Sequence, residues 1–168
     1  MLGHALIFDG LDALADIEML ECQAFNNAFS EAGLPWLWDA QTCHAFRSIE
    51  DGAERIRLYA ADAGVSMTRM DVDRLHRAVI RHFTARAARF GVPLRPGVEQ
   101  AIDRARKNDS KIGLVSRHIL APAVRLYNAP GISIDALGPD VAAVARVLDT
   151  VEMQVVRRDD PLRLTEAA

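Results

Sequence analysis

The segment that most constrains the fold is HALIFDGLDALAD, His4 to Asp16. The apolar run Ala5-Leu6-Ile7-Phe8 stops at Asp9-Gly10, and a helical pattern begins shortly afterwards. A short, unbroken apolar run ended by an acid and a glycine predicts a buried strand that delivers a carboxylate to the edge of a sheet. In open α/β sheets, ligands bind beyond the carboxyl ends of the strands, so Asp9 is the first candidate for a functional group.

After Asp16, a plausible helix N-cap, apolar residues at Cys22, Phe25, Phe29 and Ala32 are spaced 3, 4 and 3 and predict a helix stopped by Gly33. Pro35-Trp36-Leu37-Trp38 is an aromatic connector whose tryptophans read as packing anchors. Further helices are expected over Asp39 to Phe46, from Ala53 to Gly64, and from Thr68 to Phe90. No convincing strand lies between Asp16 and Phe90. Val98, Ala101, Ile102 and Ala105 then mark a helix, and Lys111 to Ser116 a second strand ending at a hydroxyl. A helix over Ile119 to Asn128, a short strand at Ile132 to Ile134, a helix from Pro139 and a last strand at Met153 to Val156 complete the pattern. The economical architecture is a parallel α/β core, residues 1–15 and 91–168, with a helical block of residues 16–90 inserted after strand 1.

Composition excludes several classes. Half of the 168 residues are hydrophobic, enough for a real core, and the formal charge of -3 gives no support for nucleic-acid or acidic-membrane binding. Cys22 and Cys43 have neither metal nor redox spacing, which favours buried thiols in a reducing compartment over a disulfide. The five histidines share no metal-like spacing with a cysteine or with each other, and the arginines at 77, 81, 86 and 89 read as a solvated helix face. No membrane span or secretory signal is visible, and a cytoplasmic protein is expected.

Two separated stretches, FDGLDALADIEMLECQAFNNAFSEAGLPWLWD and LRPGVEQAIDRARKNDSKIGLVSRH, resemble the haloacid dehalogenase-like hydrolases. The likeness is to the beta-phosphoglucomutase-like branch and, within it, to sugar-bisphosphate phosphatases of carbon-fixation operons. That resemblance implies a Rossmann-like parallel sheet, shortened here, with an all-helical cap. It also implies four catalytic motifs. The first runs nucleophilic Asp, any residue, acid/base Asp, Gly, Thr; Asp9 falls on the nucleophile, but Leu11, Asp12 and Ala13 replace the acid/base, the Gly and the Thr. Ser116 matches the phosphate-binding hydroxyl of the second, with Arg117 beside it as a weaker anion contact. No Lys for the third motif lies in Ile132 to Leu137, before the helix start at Gly138-Pro139-Asp140. For the fourth, the acids that complete a magnesium site, Asp159 and Asp160 are the candidates, two residues late after Arg157-Arg158.

Leucine at position 11 cannot transfer a proton, a loss expected to cost roughly 10²–10⁴-fold. The cap loop from Arg47 to Arg55 carries acids at Glu50 and Asp51 that disfavour a phosphorylated sugar. These substitutions lead to the expectation of a catalytically inactive relative with an interaction or regulatory role, working as a homo-oligomer or with a protein partner and needing no cofactor. The alternative is a residual magnesium-dependent phosphatase, or a binder of phosphorylated metabolites. It would use Asp9 and Ser116, with Asp9, Asp159 and Asp160 as metal ligands.

Overall fold

The computed structural model describes residues 3–116 and 133–162. These divide into two compact units, one formed by residues before Glu18 together with those after Gly91, the other by Glu18–Gly91.

In the first unit, β1 (Gly3–Phe8), β2 (Lys111–Val115), β3 (Ala136–Gly138) and β4 (Thr150–Val156) form a parallel sheet ordered β3-β2-β1-β4. β1 is interior, and Ala5 to Phe8 are buried whichever face they point to, the pattern that the unbroken apolar run predicts. Ala5, Ile7, Val115 and Ala136 pack with Val144, Ala145 and Leu148 of α7 (Val141–Leu148). Gly113 allows this approach: a β-carbon there would lie 2.4 Å from Val144 Cγ1. Leu6, Phe8, Ile112 and Leu114 alternate to the other face, and α6 (Val98–Lys107) also packs on β1 and β2. Between β1 and the second unit, Leu11–Leu14 form a short helix, α1, which the periodicity does not reveal.

Two boundaries differ from the sequence reading. The third strand is Ala136–Gly138; of the expected stretch, residue 132 lies outside the described residues and Ser133 and Ile134 are not in a strand, because Asp135 fixes the entry to the ladder. Its backbone N–H donates to Ile112 O (2.8 Å), and its carboxylate accepts from Ile112 N–H (2.7 Å) and from Arg106 (2.7 Å). The last strand begins at Thr150, because Asp149 takes a left-handed conformation that ends α7 and starts the pairing at once. The helix expected over 119–128 lies outside the described residues.

The second unit is helical: α2 (Glu18–Glu31), α3 (Ala40–Phe46), α4 (Gly52–Asp62) and α5 (Arg69–Phe90). Its core gathers Phe25, Phe29, Trp36, Trp38, Phe46 and Tyr59, with ring centroids 4.6–6.5 Å apart in the contacting pairs. Asn26 holds the connector by accepting from Trp38 N–H (2.8 Å) and donating to Trp38 O (2.9 Å). α5 opens with a capping box, in which Thr68 and Asp71 bond each other's backbone amides. The Thr68 hydroxyl, which donates to Asp71 Oδ2 at 2.6 Å, and after it the Thr68 N–H hold the Asp71 carboxyl below its ordinary pKa.

Cys22 on α2 and Cys43 on α3 form a disulfide, with Cα atoms 5.6 Å apart. This corrects the expectation of free thiols. Their separation of 21 residues carries no local spacing signal, and it is the packing of α2 against α3 that brings them together. Closing a loop of this size stabilises a fold by about 3 kcal/mol in the chain-entropy account. No helix among the described residues is long and apolar enough to cross a membrane.

Candidate functional site

The carboxyl edge of the first unit's sheet brings three chain segments together. β1 delivers Asp9, whose N–H donates to Val156 O at 2.8 Å and so extends the pairing with β4 by one step. Gly10 then turns the chain away at φ +113°, a conformation that side-chain-bearing residues rarely adopt, and α1 begins. The Asp9 side chain is mostly buried, at 12% exposed. β2 delivers Ser116, whose N–H donates to Gly138 O at 2.9 Å. Phe8 pairs with Leu114, and continuing that register places Ser116 one residue beyond Asp9 on the adjacent strand.

β4 delivers Arg157, level with Asp9 because Phe8 pairs with Val156. Arg157 Nε lies 3.5 Å from Asp9 Oδ2, and Arg158 bonds Asp12 Oδ2 at 3.3 Å. The turn that carries both arginines is held from two sides. Asp160 accepts from Arg157 N–H at 2.8 Å and donates its own N–H to Arg157 O at 3.1 Å. Arg95 donates to Ala13 O (2.9 Å), Arg157 O (3.1 Å) and Asp160 O (3.0 Å), tying α1 to this turn.

Of the residues singled out in the sequence, Asp9 and Ser116 share this edge. Leu11 is the first residue of α1 and has no titratable group there. Asp12 is folded back so that a β-carbon on Gly10 would lie 2.7 Å from its Oδ1. Ala13 is fully buried. Arg117 lies outside the described residues. Arg95 and Arg157 also reach this edge, and no motif in the sequence marks them. The signal available was a basic pair directly after the last strand, where the resemblance expects acids.

The described residues do not fit a magnesium ion at Asp9. That ion needs several oxygen ligands in near-octahedral array. Asp160 spends its carboxylate on its own turn, Asp159 is 76% exposed and lies 3.7 Å from Arg158, and a guanidinium stands on the Asp9 oxygen. Among the described residues no three acids, histidines or cysteines are grouped to hold a metal. Asp9, Asp159 and Asp160, the expected joint ligands, are not grouped among the described residues. In the second unit, Asp51 of the acidic loop is the N-cap of α4, accepting from Ala53 N–H at 2.9 Å. Arg55 there is buried, bonded to Ile49 O (2.6 Å) and Glu21 (3.2 Å).

A parallel sheet with a largely buried carboxylate at the end of its interior strand defines an α/β class, and comparison with known proteins narrows it. No family model matches the chain. The plasmid-encoded protein CbbY of Cupriavidus necator is 38% identical over 107 residues, 61% of this chain and 42% of that protein. CbbY of Rhodobacter capsulatus is 30% identical over 112 residues, 67% of this chain and 49% of that protein. The chain thus spans about half the length of the curated relatives it matches. Among solved structures, CbbY from Rhodobacter sphaeroides in complex with phosphate aligns with a TM-score of 0.75 at 24% identity, covering 92% of this chain and 77% of that one. An aspartate-to-asparagine variant of the same protein, in complex with xylulose-(1,5)bisphosphate, aligns at 0.74.

The chain is similar to the haloacid dehalogenase-like hydrolases, as its sequence likeness to CbbY and the shared fold support. Within them it is similar to CbbY. These relatives overturn the expectation of a catalytically inactive interaction protein, since a CbbY is seen holding phosphate or a sugar bisphosphate. Leucine at position 11 has no proton to transfer, but Asp9 and Ser116, at the positions that the resemblance marks for nucleophile and phosphate contact, are both at this edge of the sheet.

Proposed function

We propose that this chain is a slow phosphate-ester hydrolase acting on phosphorylated sugars, with Asp9 as nucleophile and Ser116 as a phosphate-oxygen donor. The observation that carries the reading is the adjacency of a largely buried carboxylate and a hydroxyl on neighbouring strand ends, with a guanidinium on that carboxylate. A site of this kind works mostly by positioning and charge stabilisation.

Asp9 Oδ attacks phosphorus and the ester P–O bond breaks, leaving the phosphoryl group on the carboxylate as an acyl phosphate. The departing alkoxide takes a proton from water, because Leu11 has none to give. A second water then attacks the acyl phosphate and loses a proton to solvent. Inorganic phosphate leaves and the Asp9 carboxylate is restored. Each step lacks a positioned acid or base, so each is slow. The likeness to CbbY supports sugar bisphosphates as the substrate class to try first.

The test is phosphate release from sugar monophosphates, xylulose-1,5-bisphosphate and p-nitrophenyl phosphate by the purified chain. Release that disappears in Asp9→Asn is expected. Equal release by Asp9→Asn, or none from any ester, overturns the reading.

A further inference from the structure

A carboxylate attacking a phosphate dianion needs a cation to hold the two negative groups together. The fold family implies a divalent metal for that task, and the acids present do not assemble one. The geometry points to a substitute: we infer that Arg157 takes the cation's place, so that the site binds phosphate and its esters without magnesium. The inference rests on the reading of Asp9 and Ser116 as a phosphoryl site.

Four observations support it. Arg157 is level with Asp9 across a parallel pair, so both side chains leave the same edge of the sheet. Its Nε stands 3.5 Å from Asp9 Oδ2, while the side chain as a whole is 66% exposed. A guanidinium carries five N–H donors in a planar fork. One edge can therefore rest on the carboxylate while the exposed edge receives phosphate oxygens, the bridging that a metal otherwise performs. The backbone at Arg157 is fixed by Asp160 and Arg95. Finally, Arg158 neutralises Asp12, which would otherwise repel an incoming phosphate beside Gly10. The two consecutive arginines thus offset the two carboxylates of the β1–α1 segment, and Arg157 is the one that faces solvent.

The experiment is calorimetric titration of the whole chain with inorganic phosphate, once in EDTA and once with magnesium, followed by the same titrations on variants. Wild type is expected to bind phosphate equally in both conditions. Arg157→Gln is expected to weaken binding about tenfold or more, the loss of one charged hydrogen bond, and Arg157→Lys to recover part of it. Arg157→Asp places a second carboxylate beside Asp9, and a magnesium-dependent rise in melting temperature that wild type lacks is expected. Phosphate binding that requires magnesium and is unchanged in Arg157→Gln overturns the inference while leaving the proposed function standing. No phosphate binding in either condition overturns the proposed function and the inference with it. The wild-type comparison in EDTA and magnesium needs no variant to fold.

Discussion

Leu11→Asp is expected to raise the rate of phosphate release by about 10²–10⁴-fold, the usual contribution of a positioned general acid and base. Leu11 begins α1 directly after Gly10, two residues beyond Asp9. A carboxylate in the first turn of a helix is favoured by the amide dipoles, so the substitution carries no evident folding cost. Leu11 is of intermediate exposure and is not among the fully buried core residues. The neighbouring Asp12 does not already serve, because its carboxylate is held by Arg158 at 3.3 Å. Steady-state kinetics on a sugar phosphate would measure the gain, and a second substitution at Asp9 should abolish it. A folded Leu11→Asp protein with unchanged turnover would show that proton transfer is not the step this chain lacks.

Phe29→Ala is expected to destabilise the helical unit by about 3–5 kcal/mol. Phe29 is completely buried and meets Trp36 at 5.3 Å, Trp38 at 5.2 Å, Phe25 at 6.1 Å and Tyr59 at 6.5 Å between ring centroids. Removing it opens a cavity at the junction of α2, α4 and the connector, and rings held by mutual stacked and edge-to-face contacts cannot close around the gap without losing their own geometry. Both tryptophans of the chain lie in this cluster, so their fluorescence reports directly on it. Urea denaturation followed by that signal should show a much lower midpoint for Phe29→Ala. Leu37→Ala, at a residue 77% exposed in the same connector, should change stability by no more than about 0.5 kcal/mol. A cost below about 1 kcal/mol at Phe29 would mean that the aromatic cluster is not what holds this unit together.

The interior strand, its terminal carboxylate and the helical stretch that follows were legible because burial imposes simple periodicities. Ala5 to Phe8 are apolar without a break since the strand is covered on both faces, and Val72, Leu75, Val79 and Phe83 recur at helical spacing along α5. Short elements were not legible: α1 is a single turn and β3 three residues, too brief for either period to appear. The Cys22–Cys43 bond is not legible, because nothing local announces it; it follows from how α2 and α3 pack. The same holds for the site. Asp9 and Ser116 stand out as strand-end residues, whereas the Arg157 contact depends on β4 pairing with β1, from opposite ends of the chain. Arg95 is harder still, since its role is to bond three carbonyls, and backbone acceptors leave no mark in a sequence.

The central claim is that Asp9 accepts a phosphoryl group, and the absence of an acid/base at position 11 makes that claim directly observable. The leaving group of p-nitrophenyl phosphate departs without a proton, so Asp9 is phosphorylated without an acid while water still attacks the acyl phosphate unassisted, and the intermediate should accumulate. Acid-quenched mixtures of the chain and p-nitrophenyl phosphate, digested and analysed by mass spectrometry, are expected to show a phosphoryl adduct on the peptide containing Asp9. The adduct should be absent in Asp9→Asn and less abundant in Leu11→Asp. Phosphate release without any adduct on that peptide at any time of quenching would contradict the account.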